Sequence, residues 1–404
     1  MDNRIILHSD MNCFYASVEM KVNPSLRKIP LAVVGSQAAR GGIILARNDI
    51  AKKAGVKTAE VIWEAKEKCP TLVTVPPNYE LYEYYSRKAF DLYRQYAENV
   101  EPYGIDEAWI DLSGDISIRS LDEGKSIADE IRYRVKDELG LTCSVGVSWN
   151  KALAKLGSDY KKPDATTLFT PDNFRELVWP LPVEDLLFVG PSTKRKLHRI
   201  NIMTIGDLAA LPLAYVQSYL GQNGIMLWIY ANGLDESPVR SGSGHEYIKT
   251  IGNSATTRRD MESDADVWKV FLGLADHVAA RLRRHSMMAT TVQISLRRND
   301  LSSFERQAKL SFPTNNLMDL ANAAYRLHQS QYDWNLPLRS IGLRACVLIP
   351  SAYPRQISFY DRDYRTDKTL ALDKTIDSLR LRFGSNIITR GSLMRNGLFS
   401  YDIM

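Results

Sequence analysis

The chain opens on an apolar run, Ile5-Ile6-Leu7, that ends at Ser9-Asp10 and is followed closely by Phe14-Tyr15-Ala16-Ser17-Val18-Glu19, a pattern that predicts a short strand running into a helix. Between residues 21 and 78 Pro24, Pro30, Gly41-Gly42, Gly55, Pro70 and Pro76-Pro77 break the pattern, so a small subdomain of short elements is expected. A long helix follows over about 79–98, then a hairpin around Gly104 and a helix over about 122–139. Next come the strand Cys143-Ser144-Val145-Gly146-Val147 and a helix from near Asn150 that stops before Pro163. Residues 171–240 read as helices punctuated by Gly190-Pro191, Gly206, Pro212, Gly221 and Gly224, and Ser241-Gly242-Ser243-Gly244 reads as a linker.

Beyond the linker a strand is predicted at about 247–258 and a helix over 264–285, on which Val267, Phe271, Leu274, Val278 and Leu282 recur at helical spacing. Strands over 289–297 and 304–312, a helix over 316–331 and a strand over 339–348 complete the order βαββαβ. That order covers one sheet face with helices and leaves the other open. Val292, Ile294 and Leu296 alternate with Gln293, Ser295 and Arg297, so the open face is polar and suited to lie along a phosphate backbone.

At 404 residues the chain has room for two to four domains, and 45% hydrophobic with 25% charged residues excludes a disordered class. Apolar stretches such as Ala345 to Ile349 are too short to span a bilayer, and Met1-Asp2-Asn3-Arg4 does not lead into a signal peptide. A cytoplasmic protein with no membrane partner is expected. Cys13, Cys69, Cys143 and Cys346 are too scattered for a CxxC pair, so neither disulfides nor structural zinc is expected. The net charge of +5 is unevenly spread. Residues 1–170 carry 23 basic and 24 acidic groups and residues 171–244 carry 6 and 7, whereas residues 245–355 carry 15 and 10 and residues 356–404 carry 8 and 6. The C-terminal part is thus the part suited to a polyanion; a basic solvated surface is the plainer alternative.

Three carboxylates suggest chemistry. Asp10 ends a strand, and Asp106-Glu107 lies in Tyr103-Gly104-Ile105-Asp106-Glu107-Ala108-Trp109. Neighbours on a regular strand point to opposite faces, so Asp106 and Glu107 serve one site only if they sit at a turn or bulge, which Gly104 allows. Three acidic groups brought together repel unless divalent cations lie between them, and an all-oxygen set suits Mg²⁺. Two such ions support in-line phosphoryl transfer. Taken alone, an Asp-Glu pair in a hairpin is more often a solvated turn. Lys161-Lys162-Pro163, after the strand-to-helix segment Ser144 to Lys155, adds a lysine able to reach a phosphate, or else a solvated helix end.

In this order, Asp10, Phe14-Tyr15-Ala16-Ser17-Val18-Glu19, Gly104-Ile105-Asp106-Glu107-Ala108, and Ser148 to Lys162 with Pro163 resemble the bacterial Y-family translesion DNA polymerases, which include the DNA polymerase IV and UmuC-like types. The resemblance runs from about residue 4 to residue 350. It implies a multidomain α+β right-hand polymerase. The ferredoxin-like palm would span 1–20 and 79–165, the small fingers 21–78 and the helix-hairpin-helix thumb 166–240. A linker would follow at 241–246, then a βαββαβ little finger at 247–355 and a tail at 356–404.

The resemblance also implies roles. Asp10, Asp106 and Glu107 match the catalytic metal-binding carboxylates, with the Met11 carbonyl as a further ligand, for two Mg²⁺ ions. Tyr15 matches the steric gate against a ribose 2′-hydroxyl; a buried core tyrosine is the alternative. Phe14, Lys52 and Lys162 match nucleotide-binding positions. Gly190 and Lys194, in Phe188-Val189-Gly190-Pro191-Ser192-Thr193-Lys194, match a phosphate-binding hairpin of the thumb, with Ser192 where a second glycine is common. Arg297 and Arg298 lie where the little finger would meet DNA. Gln356, Phe359 and Tyr360 resemble a sliding-clamp-binding peptide, or else an edge strand. Asp49 stands where the family usually has tyrosine, and a carboxylate there repels a triphosphate; Lys52 stands where arginine is frequent.

The implied function is template-directed, low-fidelity extension of primers across damaged DNA, as in the DNA-damage (SOS) response. The substrates would be primer-template DNA and dNTPs, the enzyme a monomer that also binds the sliding clamp. A catalytically weak homologue acting as an accessory factor at stalled forks is the alternative, supported by Asp49 and Lys52. A nucleotidyl cyclase is the third reading, and it leaves the hairpin and the basic module without a use.

Overall fold

In the computed structural model the described residues are 4–35, 42–115, 118, 120–241, 248–353, 363–384, 387–393 and 397–398. The chain divides into two units, Met1–Val34 with Ile43–His245, and Gly35–Gly42 with Glu246–Met404.

In the first unit β1 (Ile6–Met11) is wholly buried and leads through Cys13, whose φ of 47° makes a sharp left-handed turn, into α1 (Phe14–Val22). A three-stranded sheet follows, of β2 (Leu31–Val34), β3 (Ile44–Arg47) and β4 (Val73–Val75) in the order β3-β2-β4, with α2 (Asp49–Lys53) and α3 (Ile62–Lys68). The next helix, α4 (Tyr79–Tyr93), stops earlier than the expected end near Glu98. There the chain tightens, Gln95 and Tyr96 donating to the carbonyls of Leu92 and Tyr93, and turns into β5 (Asn99–Pro102). After β6 (Glu107–Asp111) comes α5 (Leu121–Leu139), opened by a Ser120–Glu123 capping box and closed by left-handed Gly140. Then follow β7 (Cys143–Ser148), α6 (Lys151–Tyr160), which Asn150 caps by accepting from the Leu153 N–H, and β8 (Thr166–Leu168).

The larger sheet has the order β5-β6-β1-β7-β8. Alternation along β1 splits it in two. Ile5, Leu7 and Met11 join the core formed with α4 and α5, whereas Ile6, His8 and Asp10 face α6. On that second side a Cβ at Gly146 would lie 1.9 Å from the Ala154 carbonyl oxygen, so only glycine lets α6 approach this closely. The rest of the unit is helical as expected: α7 (Phe174–Val178), α8 (Pro191–Arg199), α9 (Ile205–Ala210), α10 (Leu213–Leu220) and α11 (Gln222–Ala231) share a separate core.

The second unit has the predicted order. β9 (Thr250–Met261), α12 (Asp264–Arg284), β10 (Met287–Arg298), β11 (Ser303–Thr314), α13 (Leu317–Gln331) and β12 (Leu338–Pro350) give an antiparallel sheet, β11-β10-β12-β9. Val267, Phe271 and Leu274 pack with Val292, Ile294 and Leu343 in one core. The opposite face sets Gln293 beside Arg344, Ser295 beside Gly342 and Arg297 beside Ser340. The sequence reading assigned no element to residues 361–404, and a further helix, α14 (Asp363–Phe383), lies there. Side chains tie it to the rest of the unit: Arg283 of α12 pairs with Asp377 (2.6 Å), and Arg380 with buried Asp276 (2.8 Å). Leu393 and Leu398 complete the core. Among the described residues no helix is long and apolar enough to cross a membrane.

Candidate active site

The end of β1 and the start of β6 bring the three acidic residues together. Asp10 stands opposite Glu107 in the antiparallel ladder, so their side chains share a face. Asp106 precedes the first strand residue and is free of the alternation that separates neighbours; its carbonyl accepts from the Met11 N–H at 3.1 Å. All three carboxylates, with Met11, Phe14, Asp49, Lys52 and Lys162, line one cleft of about 320 Å³.

Charges are balanced there by lysines. Lys162 Nζ lies 2.6 Å from Asp10 Oδ2 and 2.8 Å from Asp159, and Lys155 Nζ lies 2.5 Å from Glu107 Oε2 and 3.7 Å from Asp10. With Asp10 and Glu107 turned to these ammonium groups, no three His, Cys, Asp or Glu side chains among the described residues stand close enough to hold a metal ion as arranged. The donor set nevertheless fits a hard cation, being carboxylate and carbonyl oxygen only. Burial raises the Asp106 carboxyl to about 6, helped by repulsion from Asp10 and Glu107, the electrostatic state that an added cation relieves. Burial also raises Asp10 against the pull of Lys162. Glu107 is depressed to about 2 because the Lys155 ammonium on its carboxylate, with His8 close by, outweighs its burial.

His8 and Lys155 were not among the expected site residues. His8 is fully buried, with Nδ1 2.9 Å from Ser158 Oγ, its ring edge-on to Trp109, and Nε2 3.4 Å from Glu107. Burial holds it neutral, with its pKa lowered to about 4. Two further unforeseen residues line the cleft: Asn12, which links Ser144 Oγ to the Asp164 N–H, and Arg47, which donates to Thr58 Oγ1 at 2.6 Å. Tyr15 lies beside the cleft with its ring stacked on Tyr82, centroids 4.1 Å apart, and edge-on to Tyr79. Phe14 is buried against Tyr15 and Tyr82.

A family model described as the impB/mucB/samB family matches residues 9–159, and that of the impB/mucB/samB family C-terminal domain matches residues 248–359. DNA polymerase IV of Acetivibrio thermocellus is 45% identical over 393 residues, 97% of this chain and 98% of that relative. The chain belongs to the Y family of DNA polymerases. DNA polymerase IV 2 of Bacillus subtilis (strain 168) is 37% identical over 399 residues, 97% of this chain and 95% of its own. Among solved structures, a Y-family DNA polymerase chimera has the same fold, with a TM-score of 0.75 at 22% identity over 86% of this chain and 99% of its own. This Y-family member is accordingly a DNA-directed DNA polymerase of the translesion type with a multidomain α+β fold.

The other expected residues of this Y-family chain are not among those lining the cleft. Gly190 caps α8, where a Cβ would meet nothing within 4 Å, so the helix start is open. Lys194 is held by Glu184 at 2.5 Å. Arg297 is exposed on the open sheet face, whereas the Arg298 guanidinium lies over the rings of Phe304 and Tyr332, on the helix-covered side. Gln356, Phe359 and Tyr360 lie outside the described residues.

Proposed function

We propose that the cleft joins dNTPs to a primer 3′-end by in-line phosphoryl transfer, with low fidelity and across damaged templates. The observation that carries this reading is the meeting in one cleft of Asp10, Asp106 and Glu107 with Lys52 and Lys162, cation ligands beside phosphate ligands. Asp10, Asp106, Glu107 and the Met11 carbonyl would hold two Mg²⁺ ions. Those ions, when bound, would supply activation of the primer hydroxyl and neutralisation of charge on the triphosphate. Lys162, released from Asp10 as the carboxylate turns to its new partner, would then face the α–γ phosphates as a point charge. Lys155 positions Glu107. Tyr15, braced by Tyr82, would close the space a 2′-hydroxyl needs.

In the same reading, the five-stranded sheet is the palm, the small sheet with α2 and α3 the fingers, α7 to α11 the thumb, and the βαββαβ unit the little finger lying along the duplex. The open start of α8 supports phosphate binding at Gly190, and Arg297 supports it on the sheet face. A monomeric cytoplasmic enzyme of the SOS response, docked to a sliding clamp through Gln356, Phe359 and Tyr360, completes the proposal. Primer extension with Mg²⁺ and dNTPs on undamaged and abasic templates tests it. Extension past the abasic site is expected, with its loss in Asp106→Ala. Extension that survives Asp106→Ala sinks the site assignment, and no extension by the wild type would favour an accessory DNA-binding role.

A further inference from the structure

Two cavities of the second unit meet at the edge of its sheet. One, of about 570 Å³, lies on the open polar face; the other, of about 700 Å³, lies between α12 and α14 on the helical side. Asn253 and Arg281 line both. Arg281 leaves α12 and donates to the Gly252 carbonyl of β9 at 3.0 Å, and β9 is an edge strand, so this guanidinium stands where one cavity passes into the other.

The basic groups of the helical-side cavity are of two kinds. Arg283 and Arg380 serve the fold, paired with Asp377 and Asp276. Arg281, Arg284 and Lys374 are exposed and make no ion pair among the described residues. Three unpaired cations around one cavity repel one another, and a line of phosphates is the ligand that relieves them.

We propose that the cleft between α12 and α14 takes a stretch of single-stranded DNA backbone that leaves the polar sheet face and turns round the β9 edge past Arg281. The strand is single, because turning a duplex, with a persistence length of about 50 nm, sharply round one sheet edge carries a deformation cost that a single strand is spared. Its recognition is through phosphates and therefore largely independent of sequence, since among the described residues the cleft offers, apart from the His277 imidazole, no ring on which a base could stack. Continuity with the sheet face favours DNA over an acidic peptide. This rests on the reading of that face as the duplex-binding surface. It also gives α14 a use, as the carrier of Lys374 and the far wall of the cleft.

The test uses the whole protein and its Arg284→Gln/Lys374→Gln variant, both positions being exposed. Fluorescence anisotropy over a salt series compares a blunt primer duplex with the same duplex carrying a long oligo-dT overhang. The wild type should bind the overhang substrate more tightly and with a steeper salt dependence. Each single-strand phosphate contact contributes about 0.7 to the slope of log K against log salt, so the variant should lose about 1.4, or about 25-fold in affinity at 0.1 M relative to 1 M salt. That loss should be confined to the overhang substrate. An undiminished overhang increment, or an equal loss on the blunt duplex, overturns the proposal. So does variant-sensitive binding of polyglutamate in preference to oligo-dT, which would assign the cleft to an acidic protein partner. Failure of the wild type to bind the blunt duplex would instead fell the duplex-surface reading, while the overhang increment still decides the cleft.

Discussion

Gly146 is the position where a single methyl group should reach the proposed active site through packing alone. It lies opposite His8 on β1 and Thr167 on β8, with α6 laid directly across it. A Cβ there would come within 1.9 Å of the Ala154 carbonyl oxygen and 2.5 Å of the Ser158 nitrogen, and backbone atoms cannot swing aside. Restoring a carbon–oxygen contact of about 3.3 Å displaces α6 by about 1.4 Å. The helix carries Lys155, and Lys162 follows just beyond its end, so both ammonium groups shift against Glu107 and Asp10. Overpacking costs about 1–3 kcal/mol; at about 2–4 °C per kcal/mol for a unit of this size, Gly146→Ala should melt up to about 12 °C lower. A misplacement of about 1 Å near the reacting groups costs about 100-fold in rate, so single-turnover primer extension should fall by that order. Gly157→Ala is the graded control. Its Cβ would meet the Gly146 Cα at 3.0 Å, a smaller strain that the gain in helix propensity of about 1 kcal/mol offsets. That variant should melt near the wild type and extend primers within a few-fold of it. Wild-type melting and extension in Gly146→Ala, or equal effects in the two variants, would refute the claim that this close approach places the lysines.

Asp49 lines the cleft beside Lys52, and removing its charge with Asp49→Asn should lower the KM for dNTPs by up to about fivefold, the worth of about 1 kcal/mol; an unchanged KM in steady-state extension shows that no repulsion operates. Tyr15→Ala should admit ribonucleotides, read as the ratio of rNTP to dNTP incorporation, and should destabilise the unit modestly by removing the stack on Tyr82. Unaltered sugar selection dismisses the gate. His328 is buried, and burial lowers its pKa despite Asp264, 3.3 Å from its Nε2. Protons then bind the unfolded chain more readily than the folded one, so the stability of the second unit should be full above about pH 6.5 and fall as the pH drops below it. Replacing His328 with Gln should flatten that slope in melts from pH 7.5 to 5, and an unchanged slope would assign it to other groups.

How far the chain could be read without its structure depended on whether the partners were local. The βαββαβ order was legible because Val267 to Leu282 repeat at helical spacing and Val292 to Leu296 alternate, patterns long enough to settle element type. A Gly104 turn allowed Asp10 and Asp106-Glu107 to converge, and the family resemblance, not the residues alone, made that an expectation. Lys155 was not: on an amphipathic helix a lysine reads as solvated, and only the close approach at Gly146 and Gly157 turns this one inward. His8 looked like a strand residue for the same reason. The helix α14 escaped notice because its stabilising partners are remote, Arg283 and Asp377 being 94 residues apart, and its apolar positions alone do not mark a face.

The same remoteness separates formal charge from charge available to DNA. Residues 245–355 carry five more basic than acidic groups, a surplus that suggests a uniformly basic module. Yet Arg259 is paired with Asp266, Arg283 with Asp377, and the tail's Arg380 and Arg390 with Asp276 and Asp373. Arg283 is nearly inaccessible, and removing either member of its pair would strand a buried charge, a cost to folding and not to binding. Arg298 is likewise taken up by the rings of Phe304 and Tyr332. Exposed and without an ion pair among the described residues, Arg297 and Arg344 on the open face, Arg281 at the β9 edge, and Arg284 with Lys374 in the cleft beyond form one path open to a polyanion. The salt dependence of binding to a duplex with a single-stranded overhang should therefore include this path: neutralising Arg297 or Arg284 should change it, and neutralising Arg259, as basic and no more distant in sequence, should leave it alone.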